Sequence, residues 1–336
     1  YLRKFFMMKK VLGIGNALVD VMTRIDNDTV LNEFALPKGS MQLVDHVKSA
    51  EVKAGTERFK KSLASGGSAA NTIHGLGMLG INTGFIGSVG IDETGDFFEK
   101  DMKAAGVNTL LIRRQSVTGT AVALISPDSE RTFATHLGAA TELIAGDLKS
   151  EYFSGYDILY LEGYLIFNRP LIEEACKIAK SKKMKVALDL ASYNVVEAKL
   201  QDFKDIVEKY TDIIFANEEE ARAFTGKAPE EALGILSEMC DIAVVKTGSE
   251  GSIIKRGEEI IKIGTIKVTP VDTTGAGDLY ASGFLYGLAM DYSLEICGLF
   301  GSVLAGNVIE SIGAKMTPAT WSGIKDTIDE ILKDNK

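Results

Sequence analysis

The amino-acid sequence predicts an α/β fold: a mostly parallel central sheet with helices on both faces, plus a small separate β-sheet. Three observations carry this. Between residues 157 and 246, short apolar runs alternate with helix-length amphipathic stretches, the pattern of a parallel sheet built from βαβ units. Two β-rich runs at 118–126 and 131–137 flank Pro127-Asp128-Ser129-Glu130 and read as a hairpin, which a pure βαβ repeat does not contain. Glycine supplies 34 of 336 residues against only 6 prolines, so the excess reflects tight turns and close backbone approaches rather than low complexity.

Taken in order, residues 11–15 (VLGIG) are a short apolar run ending in glycine, suited to a buried strand. Residues 19–25 and 41–44 are further strand candidates. Residues 46–62 read as a charged helix, and 68–79 as a helix whose small residues allow close packing. A strand at 83–89 precedes a helix that Asp92 caps and that runs through Ala105. The hairpin and the strands near 19–25 and 41–44 are expected to form a small antiparallel sheet. Strands follow at 157–161, 185–190, 212–216 and 241–246, with helices at about 168–182, 194–209, 217–225 and 229–239. Residues 252–268 give two strand-like pieces around Arg256-Gly257. Apolar helices rich in small residues cover 278–290 and 294–311, and an amphipathic helix covers about 320–333. No long-period repeat and no Pro/Ser-rich linker divides the chain.

Composition narrows the function classes. The net charge of −9 disfavours a general nucleic-acid binder, which needs a basic surplus. Cys176, Cys240 and Cys297 form no CxxC and read as small buried residues rather than a disulfide framework or zinc site. His46, His74 and His136 lack metal-ligand spacing. No apolar run reaches the roughly 18 residues of a membrane span. Residues 1–7 open a basic, aromatic stretch too short for a signal peptide, and are expected to be leader or cloning residues, with translation starting at Met7 or Met8. A cytoplasmic enzyme is expected.

Three glycine clusters stand out. Gly13-Ile14-Gly15-Asn16-Ala17-Leu18 begins like a dinucleotide fingerprint but has leucine at its sixth position, which counts against a nicotinamide enzyme. Asn16 and Asp20 follow the first strand, where α/β sheets bind ligands, although both also suit a simple turn. Ser65-Gly66-Gly67-Ser68-Ala69-Ala70-Asn71 precedes a helix. Its glycines let backbone approach a ligand and Asn71 projects from the first turn, or the segment merely caps a tightly packed helix. The third cluster is the most informative: Asp272-Thr273-Thr274-Gly275-Ala276-Gly277-Asp278 runs straight into an apolar helix. Successive amides of 275–277, with the helix N-terminus behind them, suit an anion such as a phosphoryl group in transfer. Asp278 is placed to accept a proton from an attacking hydroxyl, or to cap the helix.

Two further segments fit phosphate chemistry. Asn217 and Glu220 lie three apart at a helix start and suit a water-held magnesium ion, or an ordinary acidic cap. Residues 245–251 (VKTGSEG) end a strand in a glycine turn able to meet nucleotide phosphates. No Walker A sequence occurs, so a phosphotransferase here is not a P-loop enzyme.

In this order, the segments SGGSAAN, GSVGIDETG and VDTTGAGDLYASGF resemble the ribokinase-like, phosphofructokinase-B-type family of sugar and nucleoside kinases, over about residues 8–333. The resemblance implies one three-layer α/β/α domain with a small β lid from about 17–45 and 115–140. It implies that Asp278 is the catalytic base and that Gly275, Ala276 and Gly277 form the anion hole. It places Asp20, Gly66, Gly67 and Asn71 on acceptor hydroxyls, with Asn16 beside them. It places Asn217, Thr247, Gly248 and Gly251 around ATP, with Asn307 bordering the adenine. Glu220 is tied to Mg²⁺, and Asp272 and Thr274 to a monovalent cation, usually K⁺ in many members. GNALVDV, MQLV, THLGAA and EGYL look most like bacterial adenosine-kinase-like members. Tyr164 is then expected to stack on a purine with Leu137 beside it. The expected activity is ATP-dependent phosphorylation of a primary hydroxymethyl group, adenosine to AMP, with ATP and Mg²⁺ required. The alternatives are a sugar kinase for ribose, fructose or ketodeoxygluconate, and a ligand-binding regulator without catalysis. The expected partners are small molecules, not nucleic acid or membrane, and the chain is expected as a monomer or a lid-paired homodimer.

Overall fold

In the strands of the large sheet, alternation of side chains sorts apolar residues into two layers. Ile158 and Tyr160 pack on one face with Val11 and Phe215, while Leu159 and Leu161 pack on the other with Leu12 and Leu188. A computed structural model describes residues 8–128 and 130–335; the leader expectation for residues 1–7 lies outside them. Its strands are β1 (Val11–Ile14), β2 (Leu18–Arg24), β3 (Met41–Leu43), β4 (Lys61–Gly66), β5 (Thr83–Gly90), β6 (Val107–Arg114) and β7 (Thr118–Ile125). They continue as β8 (Arg131–Gly138), β9 (Ile158–Glu162), β10 (Lys185–Asp189), β11 (Ile213–Asn217), β12 (Ile242–Lys246), β13 (Ser252–Arg256) and β14 (Glu259–Ile263).

Nine strands form the large sheet in the order β14-β13-β12-β11-β10-β9-β1-β5-β6. Every neighbouring pair from β6 to β12 is parallel, and the β12-β13-β14 end is antiparallel. The chain leaves β1 toward β5 on one side and later returns to β9 on the other. That change of direction opens a crevice beyond the strand C-termini. The three-layer α/β/α expectation therefore describes the molecule.

The second sheet has the order β3-β8-β7-β2-β4. Three details correct the sequence reading. The helix expected over 46–62 stops as His46–Gly55, and Lys61–Gly66 instead pairs antiparallel with β2 as an edge strand. The sheet is mixed rather than antiparallel, because β2 runs parallel to β7 and β3 parallel to β8. Strand β6, at the edge of the large sheet, has no counterpart in that reading. One face of the small sheet is covered by Val30, Leu31, Phe34 and Val52 from the two short helices near it.

The helix Ala276–Ala289 lies against the large sheet through an aromatic ladder. Phe284 meets Phe215 edge-on at 5.4 Å, and Phe215 meets Tyr160 at 6.4 Å. Such pairs contribute about 0.5–1.5 kcal/mol each beyond buried area. Their consequence here is positional: they hold the N-terminus of this helix over the ends of β9 to β12. No helix among the described residues is long and apolar enough to cross a membrane.

Candidate active site

Four adjacent parallel strands each end in one polar residue: β9 in Glu162, β10 in Asp189, β11 in Asn217 and β12 in Lys246. The register sets Glu162 opposite Asp189 and Asn217 opposite Lys246, so the four form a row along the crevice. Glu162 and Asp189 have no role in the sequence analysis, and Lys246 enters it only as part of the 245–251 segment. Each is the lone polar residue closing an apolar strand (ILYLE, VALD, IAVVK), and that shared pattern is the signal that could have found them.

The row is internally paired. Lys246 Nζ donates to Asp189 Oδ2 at 2.9 Å, with both side chains almost fully buried. Burial pulls the Lys246 ammonium down, but Asp189 and Glu220 outweigh it and hold the group above its ordinary value. Glu220 carries both sequence alternatives at once. It completes a capping box with Asn217, taking the Asn217 amide at 2.7 Å and Nδ2 at 2.8 Å, and it lines the crevice buried. Burial pushes its carboxyl up to about 7 against the pull of Lys246. Glu162 takes the Asn16 amide at 2.9 Å, Asn16 Nδ2 at 2.5 Å and the Ala69 amide at 2.8 Å. It thereby ties the loop after β1 to the first turn of the Ser68–Met78 helix.

Asp278 sits across from this row in the first turn of the Ala276–Ala289 helix. Ser68 Oγ donates to its Oδ1 at 2.7 Å and Asn71 Nδ2 to its Oδ2 at 3.0 Å. Burial raises its carboxyl to about 6, against the lowering effect of those two bonds. Gly275 is the N-cap in the left-handed region, φ 77°, and a Cβ there would lie 2.6 Å from the Ala314 methyl. A Cβ on Gly277 would lie 3.1 Å from Lys246 Nζ, so this glycine lets the ammonium close on the loop. The Ala276 amide turns back to Thr273 O at 3.2 Å. The first-turn amides of Gly277 and Asp278 have no intrahelical acceptor and remain for an anion.

A cavity of about 940 Å³ joins these groups. Ser68, Tyr164, Asp189, Asn217, Glu220, Lys246 and Asp278 line its polar end. Ile266, Val268, Ser302, Ala305, Gly306 and Ile309 line the rest. Gly248 and Gly251 face it as expected, but Thr247 does not; Lys246 takes that place. Asn307 is also displaced from its expected position. Helix phase turns residues 302, 305, 306 and 309 to the cavity, and Asn307 Nδ2 bonds Val303 O on its own helix at 2.8 Å.

On the other side of Asp278, Gly66 and Gly67 bring the end of β4 against Asp20 and Asn16. Burial raises Asp20 to about 6, with Lys315 pulling the other way. Asp272 and Thr274 do not fit the expected potassium site. The Arg131 guanidinium, reaching over from β8, bonds Asp272 Oδ1 and Thr274 Oγ1, while the Thr274 and Gly313 amides take up the rest of the carboxylate. The charge a cation would neutralise is already met. Leu137 and Tyr164 are not brought into one cavity. Leu137 lines a separate groove of about 630 Å³ with Leu43, Val117, Thr135 and His136.

Among the described residues no cluster of three or more His, Cys, Asp or Glu side chains is arranged to hold a metal by itself. The carboxylates of Asp189, Glu220 and Asp278 that line the cavity fit an ion carried by phosphate oxygens and water.

Comparisons with known proteins agree with this geometry. The family model described as pfkB family carbohydrate kinase matches residues 40–320. The chain is 28% identical over 329 residues to a nucleoside kinase of Methanocaldococcus jannaschii, covering 96% of this chain and 98% of the relative. It is 30% identical over 247 residues to an uncharacterized sugar kinase of Archaeoglobus fulgidus, covering 72% of this chain and 96% of the relative. The solved adenosine kinase of Sinorhizobium meliloti superposes with a TM-score of 0.85 at 33% identity, covering 95% of this chain and 99% of that one. With the match spanning both the strand-end row and the Asp278 loop, the chain belongs to the pfkB family of carbohydrate kinases and is a sugar or nucleoside kinase.

Proposed function

We propose that this kinase transfers the γ-phosphoryl group of ATP to the primary hydroxyl of a nucleoside, with adenosine as the preferred acceptor and AMP as product. The observation that carries the phosphoryl half is Asp278. It is fixed by Ser68 and Asn71, faces Lys246 across Gly277, and stands at a helix N-terminus. The Asp278 carboxylate takes the proton of the attacking hydroxyl. Lys246 and the first-turn amides hold the negative charge on the migrating group. Phosphoryl transfer asks for little beyond such positioning and electrostatics. Glu220 would help to hold a magnesium ion at the phosphates, and that ion would supply further neutralisation of the charge. Gly248 and Gly251 pack along the nucleotide, and the cavity face of the 294–308 helix borders its base.

The acceptor half is carried by the inner face of the small sheet. Leu43, Thr135, Ala121 and Asp20 stand opposite one another in register across β3, β8, β7 and β2. The adjoining row is Met41, Phe133, Ala123 and Met22. Apart from Asp20 and Thr135 these two rows are apolar, and Leu43 and Met41 are 67% and 56% exposed. A free sugar has nothing to set against such a surface; a purine attached to a sugar held at Asp20 does. The sheet thus acts as the lid, and Tyr164 closes the polar end from the opposite side.

The test is ADP release with Mg-ATP across adenosine, inosine, guanosine, ribose and fructose. Turnover with adenosine and little with free sugars is expected. Turnover with a free sugar alone overturns the acceptor while leaving Asp278 in place.

A further inference from the structure

Lys315 is a buried lysine whose surroundings the phosphoryl machinery does not explain. It lies on a segment locked behind the anion-binding loop. The Gly313 amide donates to Asp272 Oδ2 at 2.6 Å, and Ala314 packs on Gly275. Its Nζ is sealed from solvent and has no hydrogen-bond partner among the described residues. An ammonium group stripped of water and left unpaired is costly, so such a group marks a place where a ligand oxygen completes the shell. Two other sealed polar atoms of this region are also unpartnered: Asn71 Oδ1 and Arg131 Nη1. Asp278, by contrast, has both carboxylate oxygens engaged. Around Asp278, these open valences among the described residues lie on the acceptor side.

The carboxylate nearest in role is Asp20. The segment that carries Lys315 packs against β2, the strand of Asp20: a Cβ on Gly313 would lie 3.3 Å from Met22 Cε, and Lys315 lowers the Asp20 carboxyl against its burial. A carboxylate only accepts and an ammonium only donates. Between them they match a group that does both, a hydroxyl.

We propose that Lys315 is a specificity-determining residue of the acceptor site, donating to the oxygen of a secondary sugar hydroxyl whose proton Asp20 accepts, so that the site selects an acceptor with that hydroxyl in place. This rests on the acceptor site being where the previous subsection puts it. The reacting primary hydroxyl belongs to Asp278, and the contact with Lys315 is made equally before and during transfer. It acts on binding rather than on the chemical step.

The groups facing Lys315 are Asp101 from the Glu93–Ala104 helix, Asp20 from β2, Asp278 from the Ala276–Ala289 helix and His74 from the Ser68–Met78 helix, with Arg131 facing Asp20 from β8. Burial holds Asp20 and Asp278 near 6 and pushes His74 well down, whereas it lowers Lys315 to about 8. Acceptor binding then weakens as pH rises through about 8, where the ammonium loses its proton.

The experiment measures Kd by calorimetry with the full chain and 5′-deoxyadenosine, which cannot react, alongside 2′,5′- and 3′,5′-dideoxyadenosine. Lys315→Met is expected to weaken 5′-deoxyadenosine by about 10- to 100-fold, while one of the two dideoxy analogues binds wild type and variant alike. Lys315→Arg, which keeps a donor, recovers part of the loss. Equal weakening for all three ligands, or none for any, overturns the proposal. Where Lys315→Met does not fold, the wild-type Kd between pH 7 and 9 serves instead. Alkaline weakening must appear with 5′-deoxyadenosine and vanish with the analogue lacking the contacted hydroxyl; its absence, or its persistence with both analogues, contradicts the assignment. If the enzyme binds ribose and not adenosine, the nucleoside reading fails. The same comparison with ribose, 2-deoxyribose and 3-deoxyribose then decides the lysine separately.

Discussion

The two sides of Asp278 are finished to different degrees. Toward the large sheet each charge has its partner: Lys246 pairs with Asp189, Glu220 accepts from the Asn217 amides, and Asp278 accepts from Ser68 and Asn71. Toward the small sheet, Lys315 Nζ, Asn71 Oδ1 and Arg131 Nη1 are sealed without partners among the described residues, and Leu43 and Met41 stand exposed. A preorganised half suits a phosphoryl group whose geometry is the same for every acceptor. An incomplete half suits the ligand that differs between relatives, some named as sugar kinases and others as nucleoside kinases. On the proposed assignment, chemistry and substrate choice should be separable by mutation.

The largest effect that tests this division is at Asp278. Asp278→Asn should lower kcat by about 10²- to 10⁴-fold while ATP and adenosine still bind, as read by steady-state kinetics and calorimetry. Near-normal turnover would remove the base from the account. Lys246→Met should follow, with kcat down by about 10²- to 10³-fold and adenosine Kd unchanged. If adenosine binding falls as much as turnover, the division between the halves is wrong. A pH profile sharpens the same point. Asp278 must be ionised to accept a proton, and its carboxyl is raised to about 6, so kcat should fall as pH drops through that value. Gly275→Ala forces a side chain into a left-handed backbone against Ala314, and should destabilise the fold by about 1–3 kcal/mol in urea titration. The smallest effect concerns potassium. With Arg131 on Asp272 and Thr274, exchanging K⁺ for Na⁺ should leave turnover unchanged, and a strict K⁺ requirement would show that the guanidinium moves aside.

What could be read from sequence follows how local each signal is. The 272–278 loop was legible because its glycines, its leading aspartate and the apolar helix behind it lie together in one short run. The strand-end row was not. Glu162, Asp189 and Lys246 each look like a turn residue until strand order sets their strands beside that of Asn217. The Arg131–Asp272 pair spans 141 residues and has no local trace. Strand β4 was hidden because Lys60 and Lys61 prolong the charged run of the preceding helix. Sequence alone does not set the phase of the Asn307 helix against the cavity, which residues 302, 305, 306 and 309 face while Asn307 bonds its own helix. Lys315, in a short turn after a glycine, carries no motif at all; only its enclosure among carboxylates singles it out.

On the proposed reading, Asp278 receives the proton of a primary hydroxyl on a nucleoside seated under the small sheet. The most direct measurement is the proton-coupled ³¹P spectrum of the product formed from adenosine and Mg-ATP. Coupling of the new phosphate to the two 5′ hydrogens is the predicted result. Coupling to a single hydrogen, which marks a 2′ or 3′ ester, or no product from adenosine where ribose is phosphorylated, would contradict it.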